Sequence, residues 1–272
     1  MNTTRILQER IRSAFAPAAE PAVEAPDPND LAKSSDACHG LDLAQRIATI
    51  RNVAFGRVVF TTSFGIEDQA ITHTICSQAL AIDVVTLDTG RLFPQTYELW
   101  AQTERRYRRR IQAFYPDRSV AEALVGRQGI NGFYTSVEAR HACCAVRKVE
   151  PLRHALAGTT AWITGLRADQ SDDRAGISFA AFDQQHRLIK VNPLFDWTRE
   201  QVLAFVREHG IPHSPLHDQG FLSIGCAPCT RAIAPGEPER AGRWWWEHER
   251  KECGLHSRVS KASEASPEGA AS

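Results

Sequence analysis

The chain has 272 residues, 43% of them hydrophobic and 24% charged, which is the balance of a globular protein with a sizeable core. Basic and acidic residues are equal at 32 each, so composition gives no argument for nucleic acid or an anionic membrane as a partner. No apolar run approaches the roughly 20 residues of a membrane span, and the opening MNTTRILQERIRSAF lacks the apolar centre of a secretory signal. A cytoplasmic location follows, in which cysteines serve as ligands or reactive thiols more readily than as disulfides.

In chain order, residues 1–40 read as a flexible leader, because 16–37 is rich in Ala, Pro and acid and has little to bury. Short β-branched, apolar runs at 57–63, 82–89, 109–115 and 160–166 predict strands. Helical patterns fill 67–80, 94–108 and 146–157, and the run TERRYRRR at 103–110 reads as one solvated helix face. A further helix covers 196–210, where Thr198 and Gln201 form a possible capping box and Gly210 suits the end. Residues 259–272 read as a disordered tail. Strand–helix alternation predicts an α/β fold with a doubly wound, mostly parallel sheet.

In such sheets ligands bind beyond the carboxyl ends of the strands. The first of these turns, TTSFGIEDQ, offers Ser63 and Gly65 where a strand hands over to a helix, a place that favours an anion, although a bare turn accounts for it equally. The second, TLDTGRLFPQT, holds Asp88, Thr89, Gly90 and Arg91; a carboxylate there can accept from a ribose or a base amine. The third, TGLRADQSDDR, supplies Arg167 and Arg174 in a polar loop.

Cys143 and Cys144 are adjacent, and GCAPC places Cys226 and Cys229 in a C-x-x-C. Together they supply four thiolates. Structural zinc takes two spaced chelating pairs, and adjacent sulfurs reach one tetrahedral ion only with strain. A [4Fe–4S] cube presents separate corners, so the spacing fits a cluster better than zinc. A thioredoxin-like disulfide in CAPC lacks the expected strand–helix context. Cys76, inside an apolar helical pattern, reads as core, and Cys38 falls in the leader. Cys253 lies near Lys251, His256 and several arginines, which lower a thiol's pKa and favour a nucleophile.

The motifs SFGIED, LDTGRLFPQTYEL, CCAVRKVEPL, TGLRADQS, GCAPCTR, EPERAGRWWWE and KECGLH, in this order, resemble the sulfonucleotide reductases, specifically the iron–sulfur adenylylsulfate (APS) reductases. The resemblance spans 41–258. It implies a fold similar to the adenine-nucleotide α-hydrolases (PP-loop proteins), with a flexible C-terminal catalytic segment at about 235–258. It implies one [4Fe–4S] cluster on Cys143, Cys144, Cys226 and Cys229, with Cys253 as the nucleophile. Lys148 would lie between cluster and substrate. Arg167, Arg240, Arg243 and His256 would line the anionic substrate, and the loops at 63–68 and 87–91 would hold the nucleotide. The superfamily's SGGxDS is here Ser63-Phe64-Gly65-Ile66-Glu67-Asp68, and its acidic pair argues against ATP cleavage.

The implied reaction is thiolate attack by Cys253 on the sulfur of APS, with AMP leaving and thioredoxin releasing sulfite from the Cys–S–SO₃⁻ adduct. The cluster's role would be structural and electrostatic. Use of the 3′-phosphorylated PAPS, alone or beside APS, is the alternative within the family, and a homo-oligomer stays open. An iron–sulfur redox sensor, a tRNA-modifying PP-loop enzyme and a zinc-stapled structural protein are the rival classes.

Overall fold

The computed structural model describes residues 36–247 and Leu255. Six strands form one sheet: β1 (Arg57–Thr62), β2 (Asp83–Leu87), β3 (Gln112–Phe114), β4 (Thr159–Ile163), β5 (Ala180–Asp183) and β6 (Leu188–Val191), in the order β3-β2-β1-β4-β6-β5. All neighbours run parallel except β5, which is antiparallel to β6. The helices are α1 (Leu43–Val53), α2 (Ile66–Ser77), α3 (Pro94–Tyr107), α4 (Arg118–Gln128), α5 (Val137–Cys144), α6 (Glu150–Ala155) and α7 (Arg199–Glu208). The doubly wound sheet and the four expected strands are present, with β3 trimmed to three residues.

The central strands alternate between two cores, as the two-residue period of a pleat requires. Val58 and Phe60 of β1, with Ala161 and Ile163 of β4, join the core under α1, α2, α3 and α7. Val59 and Trp162 point the other way, to Leu152, Ala155 and Leu156 around α6. Burial on both faces is why these strands read as continuous apolar runs. Strand order reverses between β1 and β4, and the crevice at their carboxyl ends is the place such a sheet offers a ligand.

Several boundaries differ from the sequence expectation. Cys38, assigned to the leader, is buried in the main core, and Arg46 donates to its carbonyl at 3.0 Å while pairing with Asp196 at 2.6 Å. Cys76 is only half-buried. The Thr198–Gln201 capping box is formed, and an unanticipated second one, Asp42–Gln45, starts α1. The hairpin β5–β6 was missed because β5 is an edge strand whose residues are mostly half-buried, so no alternation shows.

Candidate active site

A cavity of about 190 Å³ occupies the crevice above β1 and β4. Ser63 and Gly65 line it from the turn after β1, and Thr89 from the turn after β2. Lys148, Arg240 and Arg243 add positive charge to its wall.

The first turn is left-handed at Phe64, with φ 61°, a conformation that a glycine in the same place of SGGxDS adopts without strain. A non-glycine residue held there costs about 1–2 kcal/mol, offset by burial of the ring and its stacking on Trp100 at 5.7 Å. Asp68 accepts from Ser63 N at 2.6 Å and Ser63 Oγ at 2.8 Å, so the turn's donors already hold a carboxylate. Burial pushes the Asp68 carboxyl up to about 6 despite those bonds. A Cβ on Gly165 would stand 2.3 Å from Asp68 Oδ1, which is why β4 must lead into a glycine here.

The second turn divides. Thr89 faces the cavity, and its hydroxyl lies 3.3 Å from Cys226 Sγ. Asp88 is turned inward, accepting from Gly90 N at 2.9 Å and Tyr97 Oη at 2.8 Å; Gly90 has φ 69°. Arg91 points to the cysteines, donating to Ile130 O at 2.7 Å and Asn131 Oδ1 at 2.9 Å and covering the Phe133 ring. Asp88, Gly90 and Arg91 therefore support the loop and do not line the cavity.

Arg167 also departs from expectation. Its side chain is fully buried and does not line the cavity. Its guanidinium donates to Glu67 Oε1 at 2.8 and 2.9 Å, to Asp169 Oδ2 at 3.1 Å and to Glu239 at 2.9 and 3.0 Å. Burial raises the Glu67 pKa, but the Arg167 charge and hydrogen bonds outweigh it and hold Glu67 below the usual range. Two of these three carboxylate partners, Glu67 and Glu239, come from far along the chain.

Behind this cavity lies a smaller one of about 20 Å³, lined by Cys143, Cys144, Cys226 and Cys229. All four are free thiols. The sequence reading began a helix after the cysteine pair. Instead the pair closes α5, and the helix runs on through a π turn, Ala145–Val149, into α6. Such turns interrupt α-helices frequently at functional sites. This one carries Arg147 and Lys148, and Lys148 lines both cavities. The C-x-x-C turn is fixed by Ala227 N donating to Arg91 O at 2.8 Å and Trp244 N donating to Cys229 O at 3.2 Å.

Burial raises the Cys226 pKa, but Lys148, the Thr89 hydroxyl, Arg243 and Arg147 outweigh it, and the net shift is downward. Burial and then the neighbouring Cys226 push Cys229 up to about 12. Burial likewise raises Cys143. A buried thiol ring of this kind ionises fully only if more positive charge arrives. Among the described residues no three Cys, His, Asp or Glu side chains group tightly enough to hold one metal ion.

Trp244, with φ 42°, is shared by both cavities, and its Nε1 has no hydrogen-bond partner among the described residues. Arg243 lies over its ring at 4.7 Å and Arg140 at 4.8 Å. Arg140 pairs with Glu247 at 2.7 Å, both side chains nearly fully buried. A Cβ on Gly225 would stand 2.2 Å from Arg243 Nη2, so the glycine before Cys226 makes room for that guanidinium. Glu239, Trp244 and the Arg140–Glu247 pair were not singled out from sequence; Glu239, Trp244 and Glu247 share the run EPERAGRWWWE, and Arg140 lies apart from it on the cysteine helix. Cys253 and His256 lie outside the described residues, but Leu255 packs on the wall of the larger cavity.

The structure is similar to phosphoadenylyl-sulfate (PAPS) reductase from Candida auris in a phosphate complex, with a TM-score of 0.66 over 77% of this chain and 98% of that one, at 24% identity. That likeness establishes the fold. In sequence, the chain is 56% identical to an adenosine 5′-phosphosulfate reductase of Agrobacterium fabrum over 84% of its length and 87% of the relative's. It is 54% identical to the protein of that name from Allochromatium vinosum, over 74% of this chain and 79% of the other. The phosphoadenosine phosphosulfate reductase domain matches residues 57–232, and the chain belongs to that family.

Proposed function

We propose that the protein reduces adenosine 5′-phosphosulfate to sulfite and AMP with thioredoxin as electron donor, in assimilatory sulfate reduction. The observation that carries this reading is the shared wall: Lys148 and Trp244 line both a cation-edged cavity at the sheet's switch point and a ring of four free thiols behind it. The relatives named adenosine 5′-phosphosulfate reductase, at more than half identity over most of the chain, support the same substrate.

The thiol ring fits a [4Fe–4S] cluster. Its donors surround a space without grouping on one point, and Trp244, whose buried Nε1 has no partner among the described residues, lines that space as a candidate donor to a cluster or cysteine sulfur. When bound, the cluster would hold the four cysteines together and set the local field; no electron passes through it in the scheme below.

Cys253 is the proposed nucleophile. Leu255 lies on the cavity wall, and the two residues of sequence that separate Cys253 from it span at most about 7 Å, which supports this role. Its thiolate attacks the sulfate sulfur and forms the S–S bond of Cys–S–SO₃⁻, while the sulfur–oxygen bond to AMP breaks and the electron pair leaves with the phosphate. A thioredoxin thiolate then attacks Cys253 Sγ, sulfite leaves with the S–S electron pair, and the second thioredoxin thiol resolves the mixed disulfide. Anionic attack on an anionic group needs an opposing field, which Lys148, Arg240 and Arg243 supply in a site where they are already oriented. His256 is proposed as a further substrate contact. Thr89, Ser63 and Gly65 edge the nucleotide's side of the cavity.

Asp88, Gly90 and Arg91 act by shaping their loop, and Arg167 acts from beneath the cavity. No helix among the described residues is long and apolar enough to cross a membrane, in keeping with a cytoplasmic enzyme. The test is sulfite formation from APS and from PAPS with reduced thioredoxin. Sulfite from APS that vanishes in Cys253→Ser supports the reading. Sulfite from PAPS alone gives the substrate to PAPS, and sulfite from neither overturns the function.

A further inference from the structure

The loop that presents Arg240 and Arg243 has little regular structure of its own. It is pinned internally by the Thr230–Arg243 bridge, by the Arg231–Glu237 pair at 2.8 Å and by a turn in which Arg243 N donates to Arg240 O at 3.0 Å. Glu239, immediately before Arg240, reaches out of the loop to the α/β body. Both of its oxygens accept from Arg167 Nη2, and Arg199 at the start of α7 stands 3.6 Å away. The same Arg167 nitrogen holds Glu67 on α2.

A carboxylate on the wall of an anion site repels the ligand unless its charge is already engaged. Glu239 is half-buried on the cavity wall, with its side chain 12% exposed, and its oxygens are committed to guanidinium groups. Ligand contact therefore gives it no purpose, and attachment does. We infer that Glu239 is a positioning residue: through Arg167 it ties the Arg240–Arg243 loop to the turn after β1, so that the cations and the nucleotide-binding turn keep one fixed spacing across the cavity. Arg167, fully buried, is the hub of this tie and needs no contact with substrate to matter.

The inference rests on the reductase reading for its consequence but not for its geometry, so two readouts are used on the cluster-loaded full chain. The first needs no substrate. In Glu239→Gln, amide hydrogen exchange in the peptide covering 238–247 should speed at least severalfold, while β1 and β4 keep wild-type protection. The second is steady-state kinetics with APS. Loss of one buried charge-assisted contact should raise KM about tenfold with a smaller change in kcat. Glu239→Asp, which keeps the charge on a shorter arm, should recover part of that loss. Unchanged exchange, or faster exchange with KM within twofold of wild type, overturns the inference. Faster exchange with a raised, Asp-rescued KM supports it. Absence of sulfite from the wild type sinks the reductase reading and leaves the exchange result to judge the tie.

Discussion

Removing the Glu247 carboxylate isolates the contact that clamps the tryptophan loop onto the cysteine helix. Arg140 sits on α5 one turn before the cysteine pair; its Nε and Nη2 donate to Glu247 Oε1 at 2.9 Å and Oε2 at 2.7 Å. Side-chain exposure is 1% for Arg140 and 4% for Glu247, so water cannot replace either partner. Glu247→Ala removes the counter-charge of a buried guanidinium that keeps its contacts with Cys144 and the Trp244 ring, a change that costs about 3–5 kcal/mol. For a chain of this size each kcal/mol moves Tm by about 2–4 °C, so the expected fall is about 6–20 °C. Paired replacement, Arg140→Met with Glu247→Leu, removes both charges and should recover most of the loss. The assay is thermal unfolding of anaerobically prepared protein followed by circular dichroism. A Glu247→Ala protein melting within about 2 °C of wild type refutes the reasoning, because a buried charge cannot lose its counter-charge so cheaply.

Gly225→Ala should lower Tm and raise KM for APS severalfold, since its methyl, 2.2 Å from Arg243 Nη2, displaces a buried guanidinium packed on Trp244; kinetics beside a melt will check it. Asp68 gives a pH signature. Its folded pKa is raised from 3.8 to about 6, so the folded state holds the proton more tightly and stability falls as pH rises through this window. Relative to Asp68→Asn, wild type should lose about 2 kcal/mol between pH 4 and 7, measured by urea unfolding at each pH; a constant difference contradicts the assignment. In chelator-stripped protein at neutral pH, Cys226 should alkylate before Cys229, because the net effect on Cys226 lowers its pKa while burial and Cys226 push Cys229 up to about 12. Mass spectrometry of timed samples reads the order, and equal rates would contradict it.

Local chemistry was legible in the sequence, and long-range pairing was not. Thr198 and Gln201 announce their own cap because the partners are three residues apart. The cysteine pair and the C-x-x-C announce a shared site because their residue types and spacing restrict what they can bind. Arg167 looked like a ligand contact because its three carboxylates include Glu67 and Glu239, 100 and 72 positions away, and nothing in the intervening sequence couples them. Arg91 and Asp88 share a turn with Thr89, but which side chains face the cavity depends on Asn131, Phe133 and Tyr97 packed against that turn. The π turn under Lys148 leaves no periodic trace in five residues. Phe64 is the converse case: a glycine position in SGGxDS is filled by a buried aromatic, and the backbone stays left-handed because Trp100 and the core hold it.

The central claim is that Cys253 takes the sulfonate from substrate and gives it up to thioredoxin. Anaerobic incubation of the purified protein with APS, followed by mass analysis of its cysteine peptides, tests this directly. The account predicts one added SO₃ on the Cys253 peptide, none on the peptides of Cys143, Cys144, Cys226 or Cys229, and its removal as sulfite by reduced thioredoxin. No adduct under turnover-competent conditions, or an adduct confined to another cysteine, would contradict it.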